Sequence, residues 1–388
     1  MRSRLPYNTL LLRLRSLAIT CATAFFEREG YIQTHPPLIT SSDCEGAGEA
    51  FSVATTPVIQ STSKSLADQG SDTGKFFRST KYLTVSSQLH LEALAQSIGN
   101  VWTLSPTFRA ERSDTPRHLS EFYMLEAEAT FVDDLAPIMD IVEQLLRSIA
   151  RHVMDSQVGE ELLSARSSLD EPKGSPDISC DELRTRWNGL IHSPWPRITY
   201  SEAIDALRHA VSTERVVFDF SPKFGIGLQA EHEKYLARVV GQGSPVFVTD
   251  YPRDVKAFYM APSKSSSSAQ ESSTTVACFD LLVPEICEIV GGSLREYRLP
   301  QLLESMQRHG LLKPGYFQDV THTKEMASSL LSDIVPSNLS WYVDLRRFGS
   351  VPHGGFGLGF DRFLCYLSGV SNIRDMVAFP RWYGRCDC

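Results

Sequence analysis

The sequence predicts an α+β fold: an antiparallel sheet flanked by helices. Strand-like runs outnumber helical ones in the parts that carry motifs. Consecutive strands there are joined as hairpins rather than through crossover helices. The G-x-G-x-G run of Gly355, Gly357 and Gly359 has its third glycine misplaced for a dinucleotide turn, and an arginine follows the strand. A doubly wound parallel sheet is therefore not expected.

The elements follow in order. Leu11, Leu14, Ala18, Cys21, Ala22 and Phe25 recur at helical spacing, so residues 8–30 read as a helix ended by Gly30. Arg2, Arg4, Arg13 and Arg15 precede the first acid, Glu27, which is also the composition of a transit peptide. The apolar pattern runs on to Gly30 without a break, which favours a structural helix. YIQTHPPLIT reads as an extended edge or interface segment, because its prolines cannot donate to a ladder. SDCEGAGEAFSV is a glycine-bearing loop, and 59–75 a polar surface insertion. KYLTVSSQLHLEALAQSIG reads as a strand turning into a helix. VWTLSPTFRAERSDTPRHLSEFYMLEAEATF reads as a hairpin whose loop is too long and charged for a plain turn. Residues 134–153 form a helix, and 155–197 read as a polar, variable insertion. SPVFVTDYP, VKAFYMAP and VACFDLLVPEICEIVGGSLRE read as strands, with a low-complexity insertion at 261–275 forming a hairpin tip. Leu302, Leu303 and Met306 begin one helix, and Trp341, Leu345 and Phe348 mark another. GGFGLGF is a strand leading into the helix DRFLCYLSGV.

Composition limits the function classes. The 388 residues are 42% hydrophobic and 22% charged, which excludes disorder throughout. The net charge of −8 argues against a surface that is a nucleic-acid footprint throughout, but allows a local basic groove. No stretch approaches the ~18 uninterrupted apolar residues of a membrane span, and no membrane association is expected. The eight cysteines include no CxxC pair; most lie in apolar runs and read as buried, reduced thiols, with metal binding by the Cys386/Cys388 tail as the alternative.

Three constellations carry chemistry. In FRAERSDTPRHLSEF, Arg109 and Glu111 lie two apart on a strand and so share a face. Arg117, His118, Glu121 and Phe122 follow on the return. Arginine, acid and aromatic ring together suit a purine nucleotide; an ion-pair ladder across the hairpin explains the spacing equally well. In GFGLGFDRF, the glycines allow close approach of a ligand, and Asp361 and Arg362 stand at a helix start. A glycine-kinked strand with a capped helix is the alternative. In FDLLVPEICEIVGGSLRE, Asp280 and Glu288 are acids in an apolar stretch and need a cation or arginine partner. With a phosphate substrate that cation is Mg2+; structural salt bridges are the alternative.

Together the three strings resemble motifs 2, 3 and the metal-binding strands of the class II aminoacyl-tRNA synthetases, subclass IIb, which holds the aspartyl, asparaginyl and lysyl enzymes. HPPLIT resembles motif 1, with Pro37 at its dimer-interface proline. SDCEGAGEAF, VSSQLHLEAL, PVFVTDYPRDVKAFYM, WYVDLRRFGSVPHGGFGLGFDR and SGVSNIRDMVAFPR are most similar to the asparaginyl branch, and RSDTPRHLSEFYMLEAE looks more like its organellar form than its cytosolic one. The resemblance implies one catalytic domain over 1–388, interrupted by the insertions at about 59–75, 155–197 and 261–275.

The resemblance also implies a reaction: ATP- and Mg2+-dependent activation of asparagine, then transfer to tRNA(Asn). It gives Arg109 the α-phosphate, Glu111 the adenine amine and Phe122 the adenine ring. Arg362 covers the other adenine face and reaches the γ-phosphate, with Arg117 or His118 assisting. Asp280 and Glu288 hold Mg2+. Glu45, Gln88 and Arg295 line the amino-acid pocket. Leu91 stands where aspartyl enzymes carry a lysine, which implies asparagine rather than aspartate. The resemblance further implies a homodimer through the first helix and Pro36–Thr40, and a mitochondrial matrix location, with the cytoplasm as alternative. Asparaginyl enzymes carry an N-terminal OB-fold that grips the anticodon, and no string here matches it. That leaves a second expectation, a freestanding asparagine synthetase of the same fold acting on aspartate and ammonia.

Overall fold

The structure, a computed structural model, describes all residues except 1–3, 42–49, 55–75, 78, 166–177, 193, 265–273, 314–333 and 387–388. The glycine loop with Glu45, the whole 59–75 insertion and the 265–273 hairpin tip therefore lie outside the described residues.

The strands are β1 (Ile32–Gln33), β2 (Ile39–Thr40), β3 (Ser52–Val53), β4 (Lys81–Leu83), β5 (Val101–Phe108), β6 (Glu121–Thr130), β7 (Arg197–Thr199), β8 (Val246–Thr249), β9 (Cys278–Val283), β10 (Cys287–Leu294) and β11 (His353–Gly359). Eight of them form one sheet in the order β1-β5-β6-β11-β10-β9-β8-β7. Its six central strands are antiparallel, and only the short edge strands β1 and β7 pair in parallel. The remaining three make a small sheet, β2-β4-β3. The expected antiparallel α+β architecture is present.

The helices are α1 (Pro6–Arg28), α2 (Gln88–Ile98), α3 (Leu135–Met154), α4 (Gln157–Ser164), α5 (Cys180–Ile191), α6 (Tyr200–His209), α7 (Ala230–Val239), α8 (Leu299–Arg308), α9 (Ser340–Arg347) and α10 (Phe360–Ser368). Pro6 opens α1 at a position whose N–H has no helical acceptor in any case. Asp134 caps α3 by accepting from the Ala136 N–H, and Gly369 closes α10 in the left-handed conformation.

The alternation of β6 explains why one sheet face is greasy and the other polar. Leu125 and Ala127 point to the back, where Phe279, Leu281, Val290, Phe356 and Leu358 join them under α1, α3, α5 and α10. Phe122, Met124, Glu126 and Glu128 point to the front. Among the described residues α1 is the one helix long and apolar enough to cross a membrane. Its Leu11, Leu14, Ala18, Ala22 and Phe26 are buried in the back core, so it is a core helix here.

Three expectations need correction. Residues 155–197 were expected to be a polar insertion, yet Leu162, Leu183, Trp187 and Leu190 on α4 and α5 are fully buried in the main core. Their apolar positions are few per turn, and the intervening polar residues mask the pattern. VKAFYMAP is not a strand. Phe258 and Tyr259 are both buried, which breaks the alternation a strand requires, and only Met260 and Pro262 form isolated bridges. Finally, Arg109 and Glu111 are not on a strand. β5 ends at Phe108, the Arg109 N–H donates to Ser120 O at 3.0 Å, and the charged run then leaves the ladder as a loop.

Candidate active site

The register of the central strands assembles the front face. Gly355, Gly357 and Gly359 on β11 stand opposite Glu128, Glu126 and Met124 on β6. Gly357 also faces Gly291 on β10, and Gly291 faces Asp280 on β9. A Cβ at Gly357 would come within 2.8 Å of Met124 Cε, and one at Gly291 within 3.1 Å of Glu288 Oε1. The glycines thus leave an open floor with carboxylates and arginines around it.

Two cavities lie on that floor. The first, about 190 Å3, is lined by Arg109, Glu111, Arg117, His118, Phe122 and Arg362, together with Glu288, Gly357 and Gly359. All seven residues expected at the nucleotide, Glu288 among them, therefore line one cavity. The Arg109 guanidinium lies 5.6 Å from the Phe122 ring centroid. His118 Nε2 is 3.3 Å from Glu111 Oε2, and its Nδ1 is 2.5 Å from Thr115 Oγ1. Arg117 donates to Ile286 O at 2.8 Å, and Arg362 to Glu288 O at 3.1 Å. A cavity with several guanidinium groups, a histidine and an aromatic wall can bind a polyphosphate with a planar base.

The second cavity, about 180 Å3, is lined by Ser86, Gln88, Leu91, Glu126, Lys256 and Arg295, with Asp280 and Gly291. It shares Arg109, Met124, Glu288 and Gly357 with the first, so the two are halves of one cleft. Gln88 and Arg295 thus line a common pocket as expected, and Leu91 forms part of its wall. Arg295 is held by Glu128 at 3.1 Å and by Ser293 at 2.6 Å. Burial works against the Arg295 charge, but Glu128 and Glu92 outweigh it and hold the guanidinium protonated. Burial pushes the Glu126 carboxyl up, against hydrogen bonds from Ser86 and Ser87.

Where the halves meet, Asp280 and Glu288 approach across Gly291. Both readings of these acids find support. Asp280 has a salt-bridge partner, Lys256, at 2.7 Å. Glu288 is pushed up by burial and by the Asp280 charge beside it. Glu233 on α7 lies close by, accepting from the Glu288 N–H at 3.4 Å, and is pushed up to about 7 by burial and the charges of Glu288 and Asp280. The Asp280–Glu288 pair offers oxygen ligands of the kind a divalent cation takes, although among the described residues no group of three or more His, Cys, Asp or Glu side chains is placed to hold a metal ion.

Sequence reasoning missed Glu126, Glu128, Glu233 and Lys256. The alternation in FYMLEAEAT signals the first two, since both acids fall on the Phe122 face. Lys256 and Glu233 reach the cleft from a loop and a helix, and no local pattern marks them. Also unforeseen is how the loop between β5 and β6 is anchored. Ile373 donates to Pro116 O at 3.0 Å, Arg374 pairs with Asp114 at 2.7 Å, and the Ser120 N–H donates to Arg381 O at 2.7 Å.

The family model for tRNA synthetases class II (D, K and N) matches residues 1–383, and the chain belongs to that family. Within it, the chain is similar to asparagine–tRNA ligases. It is 42% identical over 386 residues to the mitochondrial enzyme of Saccharomyces cerevisiae, covering 98% of this chain and 70% of the relative. It is 40% identical over 389 residues to the enzyme of Clostridium tetani, covering 100% and 73%. The asparaginyl-tRNA synthetase of Pyrococcus horikoshii, solved with asparaginyl-adenylate, superposes with a TM-score of 0.74 at 30% identity, over 99% of this chain and 70% of that one.

Proposed function

We propose that the chain is an asparagine–tRNA ligase, activating asparagine with ATP and passing it to tRNA(Asn). The observation that carries this is the single cleft, whose nucleotide half and amino-acid half share Arg109 and Glu288. Relatives named as asparagine–tRNA ligases at 40–42% identity over nearly the whole chain support it.

In this reading Arg109 holds the α-phosphate, Glu111 the adenine amine and Phe122 the ring. Arg362 takes the other face and the γ-phosphate, with Arg117 or His118 assisting. Gln88 and Arg295 hold the amino acid, and Glu45, outside the described residues, meets its ammonium. A carboxylate oxygen of asparagine attacks the α-phosphorus, and pyrophosphate departs. The nucleophile is already an anion and needs no general base. The protein's part is to position both substrates and to neutralise charge on the transferring group. Asp280 and Glu288 would hold Mg2+, whose contribution is further neutralisation of phosphate charge. The charge that Asp280 places beside Glu288 supports that assignment.

A homodimer through α1 and Pro36–Thr40 also belongs to this reading. The apolar face of α1 does not argue for it, because that face is already buried inside the chain. Exposed Pro37 and Ile39 do. A mitochondrial matrix location rests on the yeast relative alone, since the clostridial enzyme is nearly as similar.

The test is pyrophosphate exchange into ATP. Exchange that requires both asparagine and Mg2+, followed by charging of a tRNA(Asn) transcript, is expected. Exchange with ammonia-dependent amidation of aspartate, and none with asparagine, would replace this reading by the synthetase alternative.

A further inference from the structure

A third cavity, about 530 Å3, adjoins the nucleotide half of the cleft and shares Arg117, Arg362 and Ile373 with it. Beyond that shared wall it adds Arg186 from α5 and Lys234 and Arg238 from α7. Two carboxylates oppose these five cations: Glu182, which pairs with Arg186 at 3.1 Å, and Glu285, which pairs with Arg238. Lys234 stands one helical turn before Arg238, on the same face of α7. No carboxylate partner of Lys234 is found among the described residues. Arg186 is buried, its guanidinium 5.3 Å from the Tyr366 ring, so the cavity is built into the core and is more than a patch of surface lysines.

We propose that this cavity receives the pyrophosphate leaving group on its way out; the proposal rests on the activation chemistry stated above. In that step the asparagine carboxylate oxygen forms a bond to the α-phosphorus, and the bond from that phosphorus to its bridging oxygen breaks. The electron pair leaves with pyrophosphate, which needs cationic partners throughout its exit. Arg117 and Arg362 wall both cavities, so the anion passes from one to the other without losing guanidinium contact. Lys234 is the next cation it meets. The volume holds a hydrated small polyanion, not a helix of RNA.

The experiment uses the full chain with Lys234→Gln, Arg238→Gln, the double variant and Lys234→Arg. Neither position lines the nucleotide or amino-acid half. In asparagine-dependent exchange, the half-saturating pyrophosphate concentration is expected to rise about three- to tenfold in Lys234→Gln and further in the double variant, as expected for one charge-assisted contact. Lys234→Arg should restore it. Half-saturating ATP and asparagine, measured in the forward direction by tRNA charging with pyrophosphatase present, should stay within about twofold. Calorimetric titration with imidodiphosphate should show the same order of affinities. Unchanged pyrophosphate dependence overturns the proposal. So does a defect confined to tRNA, which would assign the cavity to RNA phosphates. Wild-type protein that exchanges nothing with asparagine speaks against the activation reading; the imidodiphosphate titration still reads the cavity in that case.

Discussion

Arg15, midway along the first helix, pairs with Asp361, the residue after the first of the helix that follows the glycine strand. The other Asp361 oxygen accepts from the Tyr123 N–H at 2.7 Å, and Arg15 also donates to Met376 O at 3.1 Å. One carboxylate, 1% exposed, therefore ties α1, β6 and α10 together beside Arg362. Asp361→Asn keeps an acceptor for Tyr123 but removes the charge opposite Arg15. It should cost about 3 kcal/mol, as for breaking a largely buried pair. Thermal unfolding checks this; an unchanged midpoint would mean that Arg15 is equally well served by solvent.

Arg109→Ala should slow asparagine-dependent exchange by about 100-fold, roughly 3 kcal/mol, by removing one donor at the transferring phosphorus. Arg109→Lys should recover little of it, because lysine cannot reproduce the planar fork. Normal exchange by the alanine variant would remove Arg109 from the α-phosphate.

Asparagine should be strongly preferred to aspartate. The pocket already holds Glu126, Glu128, Asp280 and Glu288. Its Arg295 is committed to Glu128 and its Lys256 to Asp280. Leu91, buried in the wall, supplies no further cation. An added carboxylate left poorly paired costs about 3–5 kcal/mol, several hundredfold and upward in affinity. Exchange run with each amino acid decides it, and equal use of aspartate would show that Lys256 can be released from Asp280.

Glu92→Gln should be among the most damaging single changes outside the cleft. Glu92 takes Arg346 at 2.6 Å, Tyr342 at 2.8 Å and His353 at 3.1 Å, and Glu92 and Arg346 are 0% exposed at their side chains. Burial alone would raise the Glu92 carboxyl; Arg346 and His353 reverse this and hold it well below the usual range. The variant leaves a buried guanidinium uncompensated, at about 3–5 kcal/mol. A depressed folded pKa stabilises above the unfolded pKa and is lost only as pH falls through the folded one. The gap between wild type and variant should thus be constant above about pH 5 and narrow only in strong acid. A gap that closes near neutrality would contradict this assignment. The variant's amide has one acceptor oxygen to share between Arg346 and Gln88, whose own amide donates to Glu92 Oε1 at 3.1 Å, so Gln88 is held less well and asparagine half-saturation should also rise.

Ile39 is 43% exposed on the short strand after the proline pair. Ile39→Asp should shift the protein from dimer to monomer in light scattering. A wild-type monomer with full activity would dismiss the dimer.

The antiparallel strand pairs and the glycine floor were readable in the chain alone, because alternation and glycine spacing are local patterns that survive in one dimension; the nucleotide roles of the residues around the first cavity came only with the resemblance to a family. Spacing singled out Phe122, Arg362 and Asp280, but an ion-pair ladder, a capped helix and structural salt bridges explained that spacing as well. Tertiary structure alone decided the rest. Lys256 and Glu233 join the carboxylates from a loop and a helix, and Arg186 reaches the third cavity from α5, a segment whose sparse apolar positions read as polar insertion. The Arg15–Asp361 pair spans nearly the whole chain. Charges of this sort are recruited by packing, since a buried ion must find its partner wherever the fold brings one, and sequence distance places no limit on where that is.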